Sequence, residues 1–423
     1  MTRERSRLSS RWWICAAAFV VQFLTAGLGN VAGVIFAVLL EEIKASRGRT
    51  AWVSSLAAAV LYFSAPLSTS LSKRYGCRSV TIAGTFICIL GMVLSSFYRS
   101  LYYLYVTHGV IWGLGQAMCY FPSFLIISQH FETRYSLAIG IAVCGASVGT
   151  LVLSPGTDWL FRRFGLAWSF RILGATYLIL IPCGLIFRPA VDGASVPLER
   201  FKYFDWTIFK NRAFLVYLIS LKILMLGYLV PYVHLMRLAE DMGAKPIQAA
   251  LLISYLAIGS TVGRLVFGRL ADCQQLSQFY LWQTGLLGIS VSSTFVAIVA
   301  TYHWLVLYAV TFGLCEGCYI TLNPVLIRKL VGTDKFANGL GISYFAMSFT
   351  RSAGPPIAGW IFDYFKSYYV AFLYTGFVFM LGNCVAFIAQ VVESNSKRTE
   401  RDAQGRRKST SSLCQVVEKE TVL

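Results

Sequence analysis

Apolar residues along this chain do not alternate with polar ones over short stretches. They run on for most of roughly 20 residues at a time, the length a helix needs to cross a bilayer's hydrocarbon core, and polar and basic residues gather between the runs. Segments such as Val80–Val93 and Phe372–Val392 are apolar on every face. A membrane β-barrel would instead show short segments of period-two alternation. The pattern therefore predicts an all-α membrane protein with twelve transmembrane helices. The first six fall near 12–40, 52–71, 79–98, 102–128, 135–156 and 168–187. The second six fall near 213–234, 248–271, 278–300, 304–327, 337–361 and 368–391.

The longest hydrophilic stretch between runs, 188–212, holds Pro189, Asp192, Pro197 and Glu199 and divides the spans six and six. The expected organisation is a six-helix half over 1–187 with a short cytoplasmic N-terminus, a cytoplasmic central loop over 188–212 and a second six-helix half over 213–392. From Glu393 the chain turns polar and charged, which points to a disordered cytoplasmic tail over 393–423. Small residues crowd two spans: Gly140, Ala142, Gly145, Ala146 and Gly149 in the fifth, and Gly339, Gly341, Gly354 and Gly359 in the eleventh. Small residues let helix backbones approach closely, so these spans are expected to pack tightly, with sliding contacts as the functional alternative. Gly27, Gly29 and Gly33 faintly suggest a dinucleotide loop. They sit inside an apolar run with no strand before them, and the motif is discounted.

Composition agrees with the pattern. Hydrophobic residues make up 57% and charged residues 13% of the chain, against about 25% charged in a typical soluble domain. The net charge of +18 would suit a nucleic-acid partner, but its placement argues for a membrane instead. Arg3, Arg5, Arg7 and Arg11, then Lys73, Arg74 and Arg78, then Arg200, Lys202, Lys210 and Arg212, then Arg328, Lys329 and Lys335, and finally Arg406, Arg407 and Lys408 all fall on one side. The other side carries fewer, such as Lys44, Arg47, Arg162, Arg163 and Lys366. Positive charge marks the cytoplasmic side, so both termini are expected there, in a multi-pass protein of the plasma membrane. The first span is too long for a cleavable signal and lacks a clear cleavage site. Most cysteines lie inside apolar runs, where they act as small fillers.

Ionisable residues inside spans carry the chemical information, because a charge at the bilayer centre costs at least about 2.5 kcal/mol. Arg264 lies deep in the eighth span and Glu316 deep in the tenth. Two readings follow. One is a static ion pair between helices. In the other, Arg264 holds a substrate carboxylate while Glu316 receives an amine or a proton, or positions the arginine. Arg351, before Ser352 and Ala353 in the eleventh span, is a candidate second anion anchor, and Lys222 in the seventh suits snorkelling. His234, at the end of the seventh span, is placed to line an outer gate or bond a phenolic substrate. Asn30, His108, Gln116 and Asn323 are weaker cavity candidates. Neither a P-loop nor a hydrolase constellation appears, so an ATP-driven pump and an enzyme are disfavoured, and no cofactor, metal or nucleic-acid partner is expected.

Several motifs carry a family resemblance. Lys73-Arg74-Tyr75-Gly76-Cys77-Arg78 and Gly268-Arg269-Leu270-Ala271-Asp272 resemble two degraded copies of the major facilitator loop signature, with Lys73 where the first copy has an acid. Phe131–Gly149 resembles the fifth-helix signature of the monocarboxylate transporter family. Gly227–Met236, Gly263–Val266, Gly313–Gly317 and Ala353–Gly359 are similar to its aromatic amino acid and thyroid hormone branch. The resemblance implies a major facilitator fold with a site between its halves, built around the eighth-helix Arg264 and a tenth-helix acid, here Glu316. It also implies a single-span immunoglobulin-type chaperone partner.

Departures matter as much. Where proton-coupled lactate carriers of the family have a first-helix lysine and an eighth-helix aspartate, Val34 and Ser260 stand here. The expected function is therefore facilitated diffusion of aromatic amino acids or similarly bulky small organic carboxylates. The alternatives are a proton-coupled monocarboxylate symporter with Glu316 as the proton site, or a non-transporting sensor or scaffold.

Overall fold

A computed structural model describes residues 2–43, 47–98, 100–189, 205–296, 301–365 and 368–421. All regular elements among them are helices. In the first half, α1 (Thr2–Asn30) and α2 (Ala32–Ile43) build the first span, and α3 (Arg47–Phe63) with the start of α4 (Ala65–Ser95) builds the second. The rest of α4 is the third. The fourth joins α5 (Leu101–Leu104), a π-helical segment (Tyr105–Trp112) and α6 (Gly113–His130). The long α7 (Tyr135–Thr176) folds the fifth span and part of the sixth, which α8 (Leu180–Ile186) completes. In the second half, α9 (Arg212–Tyr228) and α10 (Val230–Asp241) form the seventh span. Then come α11 (Pro246–Leu270), α12 (Gln278–Val296), α13 (Tyr302–Val331), α14 (Phe336–Phe365) and α15 (Tyr368–Thr421).

Eight of these helical stretches are long and apolar enough to cross a membrane by themselves. The twelve-span arrangement emerges once the folds within them are followed. Gly76 and Gly165 take φ of 83° and 70° inside α4 and α7. A side chain there would be strained, and at each the chain reverses into the next span. Three expected spans are broken in the middle. Pro66 and Pro231 sit in the first turns of α4 and α10, where a proline's missing N–H and ring end the preceding helix at Ser64 and Leu229. Val31 interrupts the first span amid Gly27, Gly29 and Gly33. The first and seventh spans occupy equivalent places in the two halves, so their breaks are repeated features. Half-helix ends near a midplane supply polar backbone to a transporter site.

Each half packs its helices alike: α1 on α7 and α3 on α6 in the first, α9 on α14 and α11 on α13 in the second. The halves meet where α7 crosses α11 and where α3 and α4 cross α14. Glycines set these approaches. A Cβ at Gly145 or Gly149 would strike the Phe19 or Phe23 carbonyl of α1. The small-residue stripe of the fifth span therefore acts as a packing surface. Large apolar side chains such as Phe86, Leu90, Phe377 and Phe387 remain exposed around the bundle, as lipid-facing surface requires.

The ending differs from the pattern-based expectation. The helix of the last span continues as α15 to Thr421. Its 397–408 stretch is dense in Lys, Arg, Glu, Gln and Ala, which are strong helix formers despite their polarity. Most of the expected central loop, 190–204, lies outside the described residues.

Candidate functional site

The centre is assembled by two helices pressed together on glycine. A Cβ at Gly263 would collide with the Leu314 carbonyl of α13, and one at Gly317 with the Ser260 carbonyl of α11. That contact brings the neighbouring Arg264 and Glu316 side chains face to face. Arg264 Nη2 lies 3.4 Å from Glu316 Oε1, with the residues only 6% and 0% exposed. Glu316 receives two further donors. Tyr228 Oη donates to Oε1 at 2.7 Å, and Ser260 Oγ donates to Oε2. The carboxylate is thus held by three groups from two helices, Tyr228 of α9 and Ser260 and Arg264 of α11. Arg264 also donates through Nη1 to the Val143 carbonyl of α7, in the other half, while its Nε has no hydrogen-bond partner. A buried ion pair is tolerable only with such supplementary hydrogen bonds.

Arg351 is the second cation. Its guanidinium stacks 4.9 Å from the Tyr62 ring of α3 and 5.4 Å from the Tyr228 ring of α9. Cation–π contact stabilises such a charge by an amount that grows with desolvation. Among the described residues Arg351 has no carboxylate partner, and its buried Nε is unsatisfied. Tyr228 is shared: its hydroxyl holds Glu316 and its ring faces Arg351. Further aromatics surround the centre, with Tyr344 beside Tyr62 and Tyr120, Tyr319 and Tyr232 beside Tyr228, and Phe312 beside Tyr232. The centre carries two guanidinium groups against one carboxylate, within an aromatic wall.

Of the residues singled out in the sequence, Arg264, Glu316 and Ser260 are in direct contact, and Arg351 joins them through Tyr228. Asn30 is exposed, donates to Thr150 at 3.1 Å and lines a cavity of about 70 Å³ that reaches Arg351. Gln116 and His108 line the same cavity. Asn323 is used elsewhere, accepting from Tyr217. His234 is half-buried on α10, and Lys222 is exposed on α9. Tyr228 and Tyr62 escaped sequence reasoning: an aromatic residue inside an apolar run looks like ordinary core.

The contacts between halves gather toward the face that bears Arg74, Arg78, Arg328 and Lys335. There the Asp272 carboxylate accepts from the Ser136 and Leu137 backbone N–H groups, both at 3.0 Å. These are first-turn donors of α7, whose own N-cap, Arg134, supplies no side-chain bond and has φ 58°. Asp272 therefore caps a helix of the opposite half and meets its dipole. Arg328 donates to the Phe131 carbonyl at 3.1 Å and sits 4.2 Å over the Tyr135 ring. Deeper in, Tyr344 and Phe345 pack on Tyr62 and Phe63. The Asp272 and Arg328 contacts fasten the halves together on the basic face, and the Arg351 cavity, with exposed Asn30 on its wall, is lined by other residues.

Comparison with known proteins places the chain. It matches the Major Facilitator Superfamily over residues 18–279 and 224–420. It is 30% identical over 402 residues to monocarboxylate transporter 10 of Danio rerio, an alignment covering 92% of this chain and 80% of the relative. The chain belongs to the monocarboxylate transporter family. Monocarboxylate transporter 3 of Rattus norvegicus is 32% identical, covering 86% of this chain and 76% of that one. Among solved structures, the human organic anion transporter MFSD10 superposes with a TM-score of 0.69 at 12% identity over 89% of this chain and 99% of that one. The fucose:proton symporter of E. coli does so at 0.66 and 16%, over 89% and 98%. Both share the fold. As a family member, the chain is a multi-pass membrane transporter of the major facilitator fold.

Proposed function

We propose that this carrier moves aromatic amino acids or similarly bulky monocarboxylates across the plasma membrane by facilitated diffusion, with both termini cytoplasmic. The observation that carries the reading is a surplus of cation: the buried Arg264 and the half-buried Arg351 stand against one carboxylate, that of Glu316, inside an aromatic wall. A surplus cation at a membrane centre is costly unless a ligand offsets it. A substrate carboxylate supplies that charge, and the tyrosine rings accommodate an apolar ring. The unsatisfied Nε atoms of Arg264 and Arg351 are the donors it would meet.

Uniport is favoured over symport by the contacts of Glu316. Tyr228, Ser260 and Arg264 all donate to it, so its carboxylate is already engaged within the protein. Ser260 and Val34 remove two other groups that would exchange protons. In the cycle, 1–187 and 213–392 rock as two bodies joined by 188–212. The fastened basic face is then the cytoplasmic gate of an outward-facing state. Asn30, Ser260 and His234 complete the proposed substrate-facing set.

Uptake of labelled tyrosine, tryptophan, triiodothyronine and lactate into vesicles, with and without a pH gradient, tests this. Aromatic uptake indifferent to the gradient is expected. Strong gradient-driven lactate uptake would overturn the uniport reading in favour of the proton-coupled one. A sensor or scaffold would move none of the four.

A further inference from the structure

His108 sits in the π-helical segment Tyr105–Trp112, fully buried at 0% exposure. Neither ring nitrogen has a hydrogen-bond partner. Two orphaned donor or acceptor atoms on one buried side chain are unusual in a native protein, where buried polar atoms find partners. The ring is also held still. It stacks on Trp112 with centroids 4.3 Å apart and an interplanar angle of 24°, and it touches Phe170 at 5.6 Å. Trp112 is itself fixed by donating from Nε1 to Tyr177 Oη at 3.0 Å. The imidazole lines the cavity that also contains Ser54, Gln116, Tyr62, Tyr120 and Arg351. Ser54 Oγ is a second buried polar atom there without a partner. π-Helical turns recur at functional sites because the extra residue per turn displaces a side chain from the regular ladder.

We propose that His108 and Ser54 form a hydrogen-bonding subsite on the first half, which takes the ring hydroxyl of a hydroxylated aromatic acid whose carboxylate lies at the guanidinium groups. The subsite rests on the carrier reading above and narrows it to a substrate class. Its cavity, of about 70 Å³, suits one end of a solute rather than a whole one, and Arg351 on its wall joins it to the charged centre. A neutral imidazole offers one donor and one acceptor, and a phenol uses both. His108 is the specificity residue because its ring lines this cavity and both its nitrogens lack a partner within the protein. An analogue lacking the hydroxyl would leave them unpaired and lose discrimination of the kind that built polar pockets enforce.

Competition against labelled tyrosine uptake in the wild-type carrier comes first, with tyrosine, phenylalanine and para-fluorophenylalanine as competitors. Tyrosine is expected to compete about tenfold better than the other two, the worth of roughly one net hydrogen bond. In His108→Phe and His108→Leu that preference is expected to fall close to one, and His108→Gln, which keeps a donor and an acceptor, should restore part of it. The ratio is independent of how much carrier reaches the membrane. Equal competition by the three amino acids in the wild type overturns the subsite even if no variant folds. So does a preference that survives the His108 variants, or one that His234→Ala alone abolishes. In each of these results aromatic uptake persists, so the carrier reading stands. A wild-type protein that takes up no carboxylate removes both.

Discussion

Removing one member of the Arg264–Glu316 pair should harm the protein more than removing both. Arg264→Ala leaves Glu316 buried with Tyr228 and Ser260 but without a cation, and Glu316→Ala leaves Arg264 with only the Val143 carbonyl. Stranding such a charge costs about 3–5 kcal/mol, whereas the double variant strands none. Thermal unfolding of the purified proteins should therefore rank the double variant above either single one. Arg351 behaves differently. It has no acid to strand among the described residues, so Arg351→Leu should keep fold and surface delivery while abolishing most aromatic uptake; uptake near the wild-type level would remove it from the site. The charges were legible in the sequence because each interrupts a long apolar run. What they touch was not. Tyr228 and Tyr62 meet Arg351 through ring faces, and no spacing rule distinguishes such a tyrosine from one that fills core.

At the scale of elements, glycine at 317 and the acid at 272 do separate jobs. Gly317 lets α13 lie on the α11 backbone. Gly317→Ala forces the two helices apart, an overpacking cost of about 1–3 kcal/mol, and should lower the melting temperature and aromatic uptake together. Asp272 fastens α11 to the first turn of α7. Asp272→Asn weakens its interaction with the helix dipole by up to about 1 kcal/mol. It should shift the carrier away from the state fastened on the basic face, read as faster thiol labelling of a cysteine placed at Ser136. Unchanged labelling would deny Asp272 this part. The first half's matching loop carries Lys73 where the signature has an acid, so the fastening is one-sided. Helix existence was plain from apolar run length, but the breaks at Val31, Ser64 and Leu229 were not. Composition reports that a segment crosses the membrane, and a mid-span break leaves that composition untouched. The continuation of α15 to Thr421 was missed for the opposite reason, because polar composition masked helix-forming residues.

For the whole molecule, two halves, twelve spans and a central charge pair followed from hydropathy, charge placement and family resemblance. The conformational state did not, since both end states of a rocking carrier share one sequence. The halves are fastened on the basic face by Asp272 and Arg328, and other residues, Ala58 among them, line the Arg351 cavity. In a background with exposed Cys273 and Cys384 replaced by serine, Ala58→Cys should react readily with an impermeant thiol reagent applied outside cells. Saturating aromatic substrate should slow that reaction. Labelling only from the cytoplasmic side would reverse the assigned orientation.

The bond from Arg264 to the Val143 carbonyl spans the two halves, and rocking of the halves must break it. An unloaded carrier must break that tie each time it turns over. Under the proposed function, a loaded one has already exchanged it for the solute's carboxylate. The empty return is then the slow leg of the cycle, and one-for-one exchange outruns net flow. Vesicles preloaded with unlabelled substrate should take up labelled substrate faster than empty ones, and the gap should narrow in Arg264→Lys, whose single ammonium cannot hold Glu316 and the carbonyl in the same two-pronged way.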